Sequence, residues 1–208
     1  MESTNEICEK IVLAARQKMR EVGIRSVSID DICHELGISK KTFYVYFATK
    51  DDLIQAILDY HYTTVEHGME QFFASCESLW RAIERVMEQL SSMSDVRRSL
   101  PFVHDLNKYY PAMAKKHYED IFALHEGAMR RVIVQGKQEG LFRPTIDDDL
   151  AANLLARLHT DVIQDGIKHD GNDGVSFKRL GDFAVDVMLR GMFTEEGLHK
   201  YEALLKSK

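Results

Sequence analysis

The sequence predicts an all-α protein: an N-terminal three-helix bundle, followed by a larger helical domain. Three observations predict this. The 208 residues include only three prolines, Pro101, Pro111 and Pro144. Strict apolar/polar alternation, the mark of half-buried strands, is rare, and apolar side chains recur at three- and four-residue spacing along most of the chain. With 45% hydrophobic and 29% charged residues, the chain has enough apolar material for one or two packed cores.

Residues 5–22 carry Ile7, Ile11, Ala14, Ala15, Met19 and Val22 on one amphipathic stripe, and Gly23 ends it. Ser28 and Asp31 have the spacing of a capping box, so a short second helix opens there with Ile32, Cys33 and Leu36 inward and stops at Gly37. Ser39 caps a third helix. Its Phe43 and Phe47, four apart, point to the core and leave Lys40, Lys41 and Tyr44 on another face. Thr49 and Asp52 form another capping box, which puts Lys50 in the first turn of a long fourth helix over 51–74. Further helices are expected over 78–93, 111–138, 147–168 and 176–192, with a short one over 195–206. Between them Pro101 and Pro111 bracket an aromatic segment, Gly140 and Pro144 end one long helix, and HDGNDG at 169–174 reads as a polar linker.

The net charge of −6 argues at first against a nucleic-acid partner. Its distribution reverses that. Residues 1–50 hold eight Lys/Arg against seven Asp/Glu, and no acid lies between Ile38 and Lys50, where Lys40 and Lys41 sit among aromatic residues. A small basic surface on an acidic body can orient toward DNA without general adhesion. Cys8, Cys33 and Cys76 are odd in number and far apart, so neither a disulfide framework nor a zinc knuckle is indicated. The start of the chain lacks a signal-peptide pattern and no stretch has the length of a membrane span. A soluble, cytoplasmic protein with no membrane contact is expected.

Two short helices joined at Gly37 match the helix-turn-helix arrangement, whose second helix enters the major groove. Here the chain resembles the TetR/AcrR family of one-component transcriptional regulators. The likeness rests on ILAARQKMREVGI (with Val12 interposed), SIDDICHELGIS and TFYVYFATKDDL, and on two later fragments, GLFRPTIDDDLAA at 140–152 and MLRGMFTEEG at 188–197. The resemblance implies that Ser28 opens a phosphate-contacting helix start, that Ser39 caps the recognition helix, that Lys40, Lys41, Thr42 and Tyr44 belong to that helix, and that Tyr46 and Lys50 clamp the DNA backbone. Replacing Tyr44 or Lys50 by Ala is then expected to weaken operator binding and leave thermal unfolding intact. Asp30, Leu36 and Lys41 depart from the family pattern, so the operator sequence does not carry over.

The resemblance further implies a DNA-binding domain over 1–50 and a ligand-binding and dimerisation domain over 51–208. Candidate residues for a small-molecule pocket are Trp80, Phe102, Tyr109, Tyr118, Phe122, His125, Met129 and His159. Residue by residue, such aromatics are more often core packing. Leu155, Leu158, Val162, Phe183, Val187 and Met188 are the candidates for a homodimer interface. A homodimer on a pseudo-palindromic double-stranded operator, acting as a repressor released by an unidentified effector, is the function the resemblance implies. No cofactor or metal is expected, since the nine histidines are scattered without ligand spacing. No phosphate loop or GxSxG motif occurs, and the acids sit mainly on caps and surfaces, so no enzyme is expected. A helical adaptor for protein partners is the alternative that a dispensable lysine face would favour.

Overall fold

The computed structural model describes residues 4–89, 99–168 and 177–206. They form α1 (Thr4–Val22), α2 (Ile29–Leu36), α3 (Lys40–Tyr46), α4 (Lys50–Ala74), α5 (Leu79–Gln89), α6 (Leu100–Tyr109), α7 (Pro111–Gln138), α8 (Asp148–Lys168), α9 (Phe177–Met192) and α10 (Glu195–Lys206). One antiparallel bridge, between Phe142 and Phe193, is the extended pairing among these residues. The expected helices are present. Residues 90–93 of the expected fifth helix and the HDGNDG linker lie outside the described residues.

The segment between Pro101 and Pro111, which the sequence marks only as aromatic, is the helix α6. Pro101 falls in its first turn, where a missing N–H costs no intrahelical bond. Phe102 and Leu106, one turn apart, are both buried, and α6 packs against α1.

The chain divides into two units, Met1–His67 with Asp95–Asp120, and Gly68–Ser94 with Ile121–Lys208. In the first, Ile11, Ala15, Met19, Ile24, Ile32, Phe43, Leu53, Ile54 and Leu106 form one core with Phe102 at its edge. Of the α1 stripe, Ile11, Ala15 and Met19 are buried and Ile7 and Ala14 half-buried, whereas Val22 is exposed where the helix ends at Gly23 (φ +89°). Within this unit His61 of α4 and His117 of α7 meet, Nδ1 to Nε2 at 3.0 Å. Burial first, then the charge of His117 and of Arg16 and Arg20, pushes His61 down to about 4. Burial also lowers His117, against the opposing pull of Asp120 and Asp59. Both rings are therefore neutral at neutral pH, one donating and one accepting.

In the second unit the core is Leu79, Ile83, Ile133, Leu141, Phe142, Met192, Phe193 and Tyr201. The two later fragments of the sequence resemblance come together here. Arg143 N donates to Met192 O (2.9 Å) and Thr194 N to Leu141 O (2.8 Å), and the Phe142 and Phe193 rings meet at a tilt with centroids 5.5 Å apart. Gly136 and Gly197 allow this approach. A Cβ on Gly136 would collide with the Phe142 ring, and one on Gly197 would lie 2.5 Å from Leu141 O.

Candidate nucleic-acid interface

The helix-turn-helix is set by local hydrogen bonds. Asp31 N donates to Ser28 Oγ (3.1 Å) and Ser28 N to Asp31 Oδ2 (2.8 Å), closing the capping box of α2. These bonds from Ser28 hold the Asp31 carboxyl below the usual carboxylate range. Gly37 ends α2 at φ 63°, a left-handed geometry that glycine adopts without steric cost. Thr42 N donates to Ser39 Oγ (3.0 Å) at the start of α3. The Thr49–Asp52 box opens α4 with bonds of 2.8 and 3.1 Å.

Phe43 is fully buried and anchors α3, with Phe47 behind it at 5.7 Å between rings. At 3.6 residues per turn, Lys41 and Val45 lie about 160° and 200° round the helix from Phe43, flanked by Tyr44 at about 100° and Thr42 at about 260°. The exposures agree. Lys41 is exposed, Tyr44 is 51% exposed and Val45 72%. Tyr44 stands edge-on against Phe43 with centroids 5.5 Å apart, which braces its half-exposed ring. Spacing in the sequence could have found Val45, two residues from the buried Phe43 and one turn beyond Lys41, but its apolar character does not advertise a DNA role.

Five of the predicted residues have prior engagements, and two of them, Ser39 and Thr42, meet each other, Oγ to Oγ1 at 2.9 Å. The Ser28 hydroxyl donates to Asp31 Oδ2 (2.6 Å). Lys40 Nζ lies 2.8 Å from Asp30 Oδ1, an exposed pair that raises the lysine above its ordinary value and reduces the net positive charge at that edge. Lys50 is the most fully engaged of them. Its Nζ donates to Ile24 O (2.6 Å) and Val27 O (2.5 Å), tying α4 to the turn between α1 and α2, and burial lowers its pKa. Tyr46 is half-buried against the first core. The free cationic and aromatic ends on the outer face of α3 are thus those of Lys41 and Tyr44.

Residues 11–57 match the family model described as bacterial regulatory proteins, tetR family. The uncharacterized HTH-type transcriptional regulator YvaF of Bacillus subtilis (strain 168) is 24% identical over 198 residues, 90% of this chain and 97% of its own. The helix-turn-helix segment is that of the tetR family of bacterial regulatory proteins, and the relatives that span most of the chain are HTH-type transcriptional regulators. A second uncharacterized HTH-type regulator of that strain, YfiR, is 20% identical over 167 residues, 77% of this chain and 80% of its own. The crystal structure of a transcriptional regulator from Cytophaga hutchinsonii shares the fold, with a TM-score of 0.72 at 18% identity over 89% of this chain and 98% of that one.

The residues suggested for a TetR-type effector pocket are divided between the two units. Phe102 is 8% exposed in the first core, Tyr109 is on the surface with the Arg25 guanidinium 4.6 Å above its ring, and Tyr118 accepts from Asn107 Nδ2 at 3.3 Å. The second unit holds Trp80, Phe122, His125 and Met129. Phe122 has Arg157 5.5 Å over its ring, and Met129 packs on the second core. The side chain of His159 lies outside the described residues. Trp80 lines a cleft of about 590 Å³ in the second unit, beside Ser78, Glu84, Glu139, Leu141, Lys200, Ala203 and Leu204. Its indole N–H donates to Glu84 Oε1 (2.9 Å).

Of the suggested dimer residues, Phe183 is 67% and Val187 49% exposed, one turn apart on α9. Leu155 and Met188 instead pack on the second core, and Leu158 is half-buried. The Val162 side chain lies outside the described residues. Leu150 and Leu154 of α8 add exposed apolar surface at 71% and 47%. Among the described residues no cluster of three His, Cys, Asp or Glu is placed to hold a metal, and no helix is long and apolar enough to cross a membrane.

Proposed function

We propose that the chain is a TetR-family regulator, a cytoplasmic, non-enzymatic repressor that binds a pseudo-palindromic operator as a homodimer and is released by a small molecule. The observation that carries the reading is the outer face of α3, where Lys41 and Tyr44 are exposed on the side away from the buried anchor Phe43. Residues 1–50 supply the reading head. Residues 51–208 supply dimerisation, through the apolar face of Leu154, Phe183 and Val187, and effector binding, for which the Trp80 cleft offers the space. A two-fold dimer would set two α3 helices in successive major grooves.

Two links support a route from the remaining helices to the head. Lys50 holds the α1–α2 turn from α4, and Asp105 of α6 accepts from Arg25 N (2.9 Å) at the same turn. An effector that favours a different placement of α4 or α6 lowers operator affinity by linkage.

The test is fluorescence anisotropy with a duplex enriched by the protein from a random pool. Lys41→Ala and Tyr44→Ala should each weaken binding with unfolding unchanged; full affinity in both variants at near-physiological salt would refute the assignment. Trp80 is the single tryptophan of the chain, so an effector in its cleft should change the emission as it releases DNA. Release without any change in emission would put the effector elsewhere.

A further inference from the structure

Val45 has no packing reason to be where it is. It is 72% exposed, more than any other large apolar side chain among the described residues. As a β-branched residue it is a poorer helix former than Ala, and the free protein recovers nothing from its burial. The gain has to come on binding. The segment Ser39–Thr49 carries Lys40 and Lys41 and no acid, which suits a polyanion and not an apolar protein surface.

In the major groove the apolar group is the C5-methyl of thymine, while the N7 and O6 of guanine accept from lysine. Lys41 and Val45 stand one turn apart on the same face, about 6 Å along the helix axis. That distance is close to two base-pair steps at roughly 3.4 Å each. The branched side chain is also nearly confined to one rotamer in a helix, so its methyls are already aimed outward and lose little freedom on contact. We propose that Val45 is a specificity-determining residue that reads a thymine methyl in each operator half-site, beside a guanine read by Lys41. This rests on the DNA-binding reading above and adds to it the base that is read.

The experiment uses the intact protein and a duplex enriched by it from a random pool. Each thymine is replaced in turn by deoxyuridine, which removes the methyl and keeps the pairing. One symmetric pair of positions should lose about four-fold in affinity per half-site, the worth of one buried methyl group. Val45→Ala should lose a similar factor on the thymine duplex and bind thymine and uracil duplexes equally, with unfolding unchanged because Ala favours the helix. Operator binding that is insensitive to every methyl, or Val45→Ala that still discriminates thymine from uracil, overturns the inference and leaves the DNA-binding reading standing. Failure to enrich any duplex overturns both.

Discussion

Lowering the pH from about 7.5 to about 4.5 should destabilise the wild-type protein more than a His61→Gln variant. An unfolded histidine titrates near 6.5, whereas His61 in its buried pair with His117 is held to about 4. Between these values the unfolded chain binds a proton that the folded chain refuses. The stabilising contribution of the neutral ring is therefore complete above the unfolded value and is lost as the pH falls toward the folded one. A tenfold difference in proton affinity is worth about 1.4 kcal/mol, so the whole contribution is roughly 3 kcal/mol, and most of it is gone at the acid end of this range. The glutamine side chain cannot titrate. His117 keeps the burial that chiefly lowers it, so its contribution largely cancels in the comparison. Urea unfolding followed by circular dichroism at closely spaced pH values, with wild type and variant in parallel, measures the difference. It should shrink by about 2–3 kcal/mol over this range. Parallel stability curves, or a His61 ring that titrates at the ordinary histidine value by NMR, would refute the reasoning.

Lys50→Met should leave the Ile24 and Val27 carbonyls without their donor and lower the stability of the reading head by about 1–3 kcal/mol, seen as faster amide exchange around the α1–α2 turn. Phe183→Glu, at a 67% exposed position, should shift the protein to monomer in sedimentation velocity with helicity unchanged. Gly197→Ala should cost about 1–3 kcal/mol in thermal unfolding, because the new Cβ meets the Leu141 carbonyl at 2.5 Å and the Phe193 ring at 2.7 Å.

The reading head was legible where its bonds are short in sequence. The Ser28–Asp31 and Thr49–Asp52 boxes, the Ser39 cap and the Gly37 turn each close within a few residues, so residue type and spacing suffice to place them. The Phe43–Phe47 spacing revealed the orientation of α3 for the same reason. Aromatic character alone does not reveal that α6 packs on α1, which buries Phe102 and leaves Tyr109 at the surface. Lys50 was read as a clamp on the DNA backbone, placed at a helix start. Its carbonyl partners are 26 and 23 residues away, and no local pattern announces them.

The sequence by itself determined the helices, their caps, the outer face of α3 and the acid-free stretch around it, since these follow from backbone hydrogen bonding and periodicity within a turn or two. Only the tertiary structure decided which polar ends are already engaged and which remain available. The ammonium of Lys50 is committed to the α1–α2 turn and Lys40 is paired with Asp30, while Lys41, Tyr44 and Val45 remain exposed. The physical reason is that a side chain's partner is whatever packing brings within about 3 Å, and packing joins residues that the chain keeps far apart.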